Sequence, residues 1–299
     1  MGNGSRQPPQ HVWHRANELL KQKAPRLRSI AKRLAAPLLR ADTNFCVPKR
    51  LAGRLIWTQP RLLTSHVAED HILRWTIEAL RPGGTFFDVG AHYGWISIAA
   101  ANRVGSKGRV VSFEPSPVLA DILAYHRRVN RLKQMQIVEA AVSNGDSQDS
   151  AFFLINDGLS VRNSLTIGGT DVPYVHPGDK TQTTVRSLTL DSFTSSSGMV
   201  PDVIKIDVEG AEWLVLEGAG QLLAQHHPDL IVGVHPFWMP VSHSVNRILG
   251  FLEQLDYAVT DTQKVEFEDS YIADYFCRYR PHAEVGAKTW AGNQRRKKP

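Results

Sequence analysis

From residue 66 onward, short apolar runs alternate with longer amphipathic stretches. The short runs predict strands and the longer ones predict helices, because apolar residues recur at the spacing of each element. Strands are expected at 85–89, 109–113, 136–142, 203–206, 230–234, 257–260 and 271–279, and helices at 66–80, 94–104, 118–131, 211–223 and 245–255. Strands separated by helices predict an α/β fold with a mostly parallel sheet that is covered by helices on both faces. The turn-rich stretch 151–185 is expected to cover one end of this sheet.

The two ends of the chain differ from its centre in charge. Of the net charge of +6, residues 1–40 carry +8, residues 288–299 carry +5, and the remainder carries −7. We therefore divide the chain into a basic extension (1–65), a main domain (66–285) and a basic tail (286–299). Within the extension, residues 25–40 have apolar positions on one stripe, which predicts a short amphipathic helix. This helix is interpreted as a docking element, with weak contact to an anionic membrane, at about 1 kcal/mol per basic residue, as the alternative.

Cysteine content and hydropathy concern the compartment. Cys46 and Cys277 are the only cysteines, which excludes a disulfide framework and fits a reducing environment. The longest apolar runs are too short to cross a bilayer, and no secretory signal follows the start. We therefore expect a cytoplasmic protein.

The end of the first strand has the features of a ligand-binding turn. Asp88 lies near the strand end, and Gly90 and Gly94 allow a sharp bend into the next helix. The turn lacks both the dinucleotide-binding glycine pattern and a phosphate-binding loop. A carboxylate there suits a cationic ligand without phosphate, such as S-adenosylmethionine. Glu114, 26 residues later at the end of the second strand, is placed to accept hydrogen bonds from ribose hydroxyls.

The third predicted strand is a candidate adenine site. Ala140 and Ala141 are small enough to leave room for the ring, and Ser143 or Asn144 could bond its edge. An ordinary buried strand followed by a turn is the equally weighted alternative.

Candidate catalytic groups follow the fourth and fifth strands. Lys205 and Asp207 share one face of a strand by its two-residue period, and Glu209 follows them. His235, at the end of the fifth strand, is a candidate general base that Asp207 or Glu209 would assist. The alternatives are a structural Lys–carboxylate network and a histidine capped by backbone. Glu212 is interpreted as a charge at a helix start.

At these residues the sequence resembles the FkbM family of methyltransferases. The resemblance spans about 84–260 and rests on six segments: 87–91 with Gly94, 113–115, 141–143, 189–191, the Lys-Ile-Asp-Val-Glu-Gly-Ala-Glu run at 205–212, and 234–236. It implies a class I methyltransferase (Rossmann-like) fold, whose seven-stranded sheet has one antiparallel strand near the carboxyl end. It also implies S-adenosylmethionine as the cofactor and O-methylation of a hydroxyl on a sugar or natural-product-like small molecule. One departure is Gly233, where the family often has Glu.

Motif positions and the resemblance together give the predicted site. The predicted cofactor-binding residues are Asp88, Gly90, Ala91, Gly94, Glu114, Ala141 and Asp207, and the predicted catalytic residues are His235, Asp207, Glu209 and Lys205. No metal ligand is assigned, because the histidines lack metal-ligand spacing. Asp207 and Glu209 are hard oxygen ligands, but two carboxylates two residues apart are weak grounds for a metal, so metal assistance is left open. The expected partner is a small-molecule or glycan acceptor. A nucleic-acid methyltransferase, suggested by the basic ends, and a non-catalytic binding protein with the same fold are the alternatives.

Overall fold

The structure, a computed structural model, describes residues 46–63, 65, 70–155, 164–165, 180–236, 239, 244–266 and 271–281. The predicted amphipathic helix at 25–40 and the basic tail lie outside these residues. Among the described residues, no helix is long and apolar enough to span a membrane.

Two compact units make up the chain. In its described part, the smaller unit comprises 46–49, 55–63 and 65, and the larger comprises 50–54 and all residues from 70 onward. Strands β1 (Val47–Leu51) and β2 (Arg54–Thr58) form a separate two-stranded sheet. In the smaller unit, the buried Lys49 donates to the carbonyl oxygens of Leu62 and Ser65. The domain boundaries at 65 and 285 remain a prediction.

A seven-stranded sheet forms the centre of the larger unit. Its strands, in chain order, are β3 (Thr85–Val89), β4 (Arg109–Phe113), β5 (Met135–Val138), β10 (Val203–Ile206), β11 (Asp229–Val234), β12 (Tyr257–Glu266) and β13 (Tyr271–Tyr279). Their spatial order is β12-β13-β11-β10-β3-β4-β5. Neighbouring strands from β11 to β5 are parallel, and β13 is antiparallel to both β11 and β12. The predicted mostly parallel sheet is confirmed, as is its single reversed strand.

Helices connect these strands, as the alternating pattern predicts. They are α1 (Asp70–Ala79), α2 (Trp95–Val104), α3 (Pro117–Val129), α4 (Leu190–Ser197), α5 (Glu212–Glu217), α6 (Gly220–His226) and α7 (Val245–Gln254). The predicted single helix at 211–223 is divided in two at Gly218. An added Cβ at Gly218 would collide with the carbonyl oxygen of Ser143, so a close backbone approach fixes the break.

The third predicted strand is also divided, and this changes the surroundings expected for the adenine site. β5 ends at Val138, and a bond from the Ala140 N–H to the Val138 carbonyl turns the chain away. β6 (Ala141–Val142) then pairs with β9 (Lys180–Leu188) in a second sheet, which also contains β7 (Ser147–Ile155) and β8 (Ser164–Leu165). The buried Ala141 packs with Phe152 and Val185 of that sheet. Its methyl group therefore packs into the core of that second sheet, and its predicted role beside the adenine ring stays a prediction.

The strand order reverses between β3 and β10, and this is where ligands bind in open α/β sheets. Residues 90–94 connect β3 to α2, with Gly90 and Gly94 at φ of 78° and 82°. An added Cβ at Gly90 would overlap the carbonyl oxygen of Asp207, which follows β10. A glycine is therefore required for the two strand ends to approach one another.

Gly90→Ala and Gly198→Ala form a matched test of this packing. Both glycines have positive φ, but nothing lies within 4 Å of an added Cβ at Gly198. We expect Gly198→Ala to lower the free energy of unfolding by about 1–2 kcal/mol, the cost of the left-handed conformation. Gly90→Ala should cost a further ~1–3 kcal/mol, because the alanine methyl group meets backbone. Denaturant unfolding monitored by circular dichroism measures both, and equal losses would contradict the close packing.

Candidate active site

Lys205, on β10, connects the ends of strands β3 and β10. Its ammonium group donates to the carbonyl oxygen of Gly90 at 2.8 Å and lies 3.4 Å from a carboxylate oxygen of Asp88 and of Asp207. Burial lowers the pKa of Lys205, but the two carboxylates outweigh burial and the net shift is upward. Lys205 therefore stays charged and holds the site together.

Asp88 is fully buried behind the turn. Its Oδ2 accepts a hydrogen bond from Ser97 at 2.5 Å, and Lys205 faces its Oδ1 at 3.4 Å. The carboxylate of Asp88 is therefore not exposed to a ligand, although a role in donor binding was predicted for it. The geometry favours a positioning role, in which Asp88 fixes Lys205 and the start of α2.

Glu114 follows β4 and lies beside the turn, as predicted. Its two carboxylate oxygens accept the backbone N–H groups of His92, at 2.8 Å, and Ser116, at 3.0 Å. Burial raises the pKa of Glu114 to about 7, against the lowering effect of these two bonds. Each oxygen keeps a lone pair that could accept a hydrogen bond from a hydroxyl group.

The turn itself is held by contacts that the sequence did not reveal. The N–H groups of Gly90 and Ala91 both donate to the carbonyl oxygen of Phe113. The buried imidazole of His126 on α3 lies 2.8 Å from the carbonyl oxygen of Tyr93. Strand β4 and helix α3 therefore fix the turn before any ligand arrives.

Asp207, Glu209 and His235 come together at the ends of β10 and β11. His235 Nε2 lies 3.7 Å from Asp207 Oδ1 and 3.9 Å from Glu209 Oε1. The side chains of Asp207, Glu209 and His235 are 39%, 19% and 7% exposed, so both carboxylates are more accessible than the imidazole. Glu209 has φ of 53°, a conformation that is uncommon for residues other than glycine and tends to occur at functional sites.

Glu212 is the orienting group that sequence reasoning missed. It is fully buried at the start of α5, and its Oε1 lies 2.9 Å from His235 Nδ1. The same oxygen accepts the N–H of Gly210 at 3.0 Å. This contact fixes the imidazole with Nε2 directed toward Asp207 and Glu209. The interpretation of Glu212 as a helix-start charge is therefore incomplete.

The charges in this cluster change the chemistry expected of His235. Burial lowers its pKa, but Glu209, Glu212 and Asp207 together raise it to about 10. Burial raises the pKa of Glu209 to about 7, and the net shift of Asp207 is downward because Lys205 and His235 outweigh its burial. A raised pKa favours the imidazolium, which cannot accept a proton, so this charge favours a carboxylate over His235 as the proton acceptor. The assignment of His235 as the general base stays a prediction.

The cluster has a surplus of negative charge that suits a cation. Asp207, Glu209 and His235 each offer a ligand atom, all within 4.8 Å of one another, which is a spacing that a metal ion could bridge. The imidazolium, however, is a counter-ion that the protein itself supplies. S-adenosylmethionine carries a sulfonium and an ammonium group, so the surplus of carboxylates at this sheet edge fits this cofactor.

Fold and site together define a class I S-adenosylmethionine-dependent methyltransferase. Residues 88–259 match the family model of the methyltransferase FkbM domain. The chain belongs to this family, and S-adenosylmethionine is its cofactor.

Solved structures with a similar fold are distant in sequence. The FkbM methyltransferase from Methylobacillus flagellatus KT is 15% identical over 68% of this chain, with a TM-score of 0.40, and this chain spans 50% of that protein's length. A SAM-dependent methyltransferase from Aquifex aeolicus is 14% identical (70% of this chain, 88% of the other; TM-score 0.37). The TYW2 protein of M. jannaschii in complex with AdoMet is 12% identical (80% and 89%; TM-score 0.44). A search of curated proteins found no match.

Replacing Glu212 tests how the imidazole is charged. In Glu212→Gln we expect the pKa of His235 to fall, because a carboxylate that stabilises the imidazolium is lost. NMR titration of the imidazole C–H resonances measures it. Glu217→Gln is the control, since Glu217 is exposed on the same helix and bonds Asn144. An unchanged pKa in Glu212→Gln would show that this contact does not control the charge.

Proposed function

We propose that this protein transfers a methyl group from S-adenosylmethionine to a hydroxyl oxygen of a sugar or natural-product-like small molecule. The observation that carries the proposal is the cluster of Asp207, Glu209 and His235, which lies directly beside the turn after β3. The contact of Gly90 with the backbone of Asp207 supports this, because it brings the donor turn and the cluster to the same sheet edge. A hydroxyl acceptor needs a proton acceptor nearby, and the cluster offers carboxylates for this purpose.

Donor binding is assigned to Glu114 and the turn 90–94, and Asp207 is assigned to the boundary between donor and acceptor, where its carboxylate contacts both. Glu114 would accept the ribose hydroxyls, and the carboxylate of Asp207 would face the cationic part of the ligand. S-adenosylmethionine, when bound, supplies an electrophilic methyl group. Asp88 and Lys205 have a positioning role and do not contact the ligand, since their contacts keep Gly90 and Asp207 in place.

Glu209 is assigned as the proton acceptor. Its carboxylate is more exposed than the imidazole of His235, and burial brings its pKa to about 7, close to the value that suits a general base at neutral pH. The imidazolium of His235, 3.9 Å away, would keep Asp207 and Glu209 in position. Glu212 would orient His235 through Nδ1.

Charge also bears on the class of acceptor. The acceptor side of the site is formed by Asp207 and Glu209, and carboxylates repel phosphate groups. This supports a neutral hydroxyl compound and weighs against nucleic acid.

Both cysteines are free thiols, which supports our placing the protein in the reducing cytoplasm.

Glu114→Gln tests donor binding. We expect the dissociation constant for S-adenosylmethionine to rise about tenfold or more, because hydrogen bonds to a charged group are lost. In the wild type the affinity should increase as the pH rises through about 7, where Glu114 ionises. Isothermal titration calorimetry at several pH values measures both effects, with Glu209→Gln as the control because Glu209 titrates in the same range. Wild-type affinity in Glu114→Gln would contradict the assignment.

The pH profile of methyl transfer distinguishes Glu209 from His235 as the base. If Glu209 accepts the proton, kcat/KM should rise with pH up to about 7 and then level off. If neutral His235 were the base, kcat/KM would continue to rise toward pH 10. Labelled-methyl transfer to a sugar panel gives the rates.

Two controls accompany this profile. Glu209→Gln should lower kcat by about 10²–10⁴-fold with donor affinity unchanged, as expected for the loss of a general base. Addition of EDTA should leave the wild-type rate unchanged, and loss of activity with recovery on adding a divalent ion would instead make the cluster a metal site.

A further inference from the structure

A further carboxylate, that of Asp274, lies beside the proposed acceptor site. Asp274 is on β13, directly opposite Gly233 of β11 in the antiparallel pair. A Cβ built on Gly233 would lie 3.0 Å from Asp274 Oδ1 and 3.6 Å from Asp207 Oδ1. The two carboxylates therefore border the same small space, which exists because position 233 has no side chain.

Asp274 is held in this position by a contact from α1. Its Oδ2 lies 2.7 Å from His71 Nε2, and the His71 ring packs edge-on against Trp75 with centroids 4.9 Å apart. Asp274 is 8% exposed, and among the described residues its Oδ1 accepts no hydrogen bond. This oxygen borders the space at Gly233, so it is able to accept a hydrogen bond from a ligand there.

The electrostatic setting indicates what kind of donor fits. Burial raises the pKa of Asp274, His71 acts in the opposite direction, and the like charge of Asp207 raises the pKa again. Among the described residues, Lys205 forms an ion pair with Asp207 but not with Asp274. A ligand that donates to both Asp207 and Asp274 would reduce their repulsion without needing a charge of its own.

We propose that Asp274 and Asp207 together bind two neighbouring hydroxyl groups of the acceptor, so that the acceptor is a polyhydroxylated compound without an anionic group beside these hydroxyls. This inference rests on the proposed function and specifies its substrate class. Asp274 acts as a binding and specificity residue, and the proton is still transferred to Glu209.

Acceptor kinetics test the proposal. Labelled-methyl transfer is measured for methyl glycosides of several neutral sugars, for the matched uronic acids and for deoxy analogues that lack one neighbouring hydroxyl. We expect neutral glycosides to accept methyl and uronic acids to be at least tenfold poorer. In Asp274→Asn, the KM for the best glycoside should rise about tenfold or more with kcat nearly unchanged, because uniform binding is lost. The deoxy analogue should show little difference between wild type and Asp274→Asn.

Two further variants guard against a folding artefact. Gly233→Ala keeps every charge but should displace the Asp274 carboxylate, so it should reproduce the rise in KM. Asp261→Asn is the matched control, because Asp261 lies in the same hairpin and contacts α1 through Trp75, yet lies outside the proposed diol site. Its KM should equal that of the wild type.

The outcomes separate this inference from the proposed function. An active enzyme whose KM is the same in Asp274→Asn, or which methylates uronic acids as well as neutral glycosides, would overturn the inference and leave the function standing. Failure of every glycoside to accept methyl, despite normal donor binding, would overturn both.

Discussion

The site depends on a group of carboxylates whose negative charge is only partly neutralised by Lys205 and His235. Lys205 lies 3.4 Å from both Asp88 and Asp207, and His235 lies 3.7 Å from Asp207 and 2.9 Å from Glu212. These pairs are in the interior, where an unpaired charge is costly. Lys205 also donates to the backbone of the donor turn. The same contacts therefore stabilise the junction of β3 with β10 and place the functional groups, so the fold and the site are not separable.

The parts of the fold that the sequence predicts are those with local causes. Strands such as Thr85–Val89 and Val203–Ile206 are apolar runs bounded by turn residues, and their ends place Asp207 and His235 at one sheet edge whatever the loops do. The misses have distant causes. The helix break at Gly218 arises from the Ser143 carbonyl, which is 75 positions away in sequence, and the turn at Ala140 starts a second sheet whose partner strand is β9.

The residues of the candidate site also fall into two groups, those that a local pattern predicts and those that only the tertiary structure reveals. Periodicity placed Lys205 and Asp207 together, because Lys205 is on β10 and Asp207 directly follows it, and the strand ends placed Glu209 and His235. It could not show that Glu212 bonds His235, since this requires the spatial order of β10, α5 and β11. Asp274 and His71 were missed because their contact joins residues 203 positions apart, and because the position of Asp274 depends on the register of an antiparallel pair. Pairings of this kind leave no local pattern.

Charge coupling within the cluster gives the site a dependence on its own ligands. Burial raises the pKa of Glu209, and Glu209, Glu212 and Asp207 raise the pKa of His235. A positive charge placed beside Asp207 should lower both pKa values. A cationic donor would therefore favour the ionised form of Glu209, which must be a carboxylate to accept a proton. An anionic acceptor would have the opposite effect and would also meet the repulsion of Asp207. The arrangement thus favours a cationic donor and a neutral acceptor through one electrostatic cause.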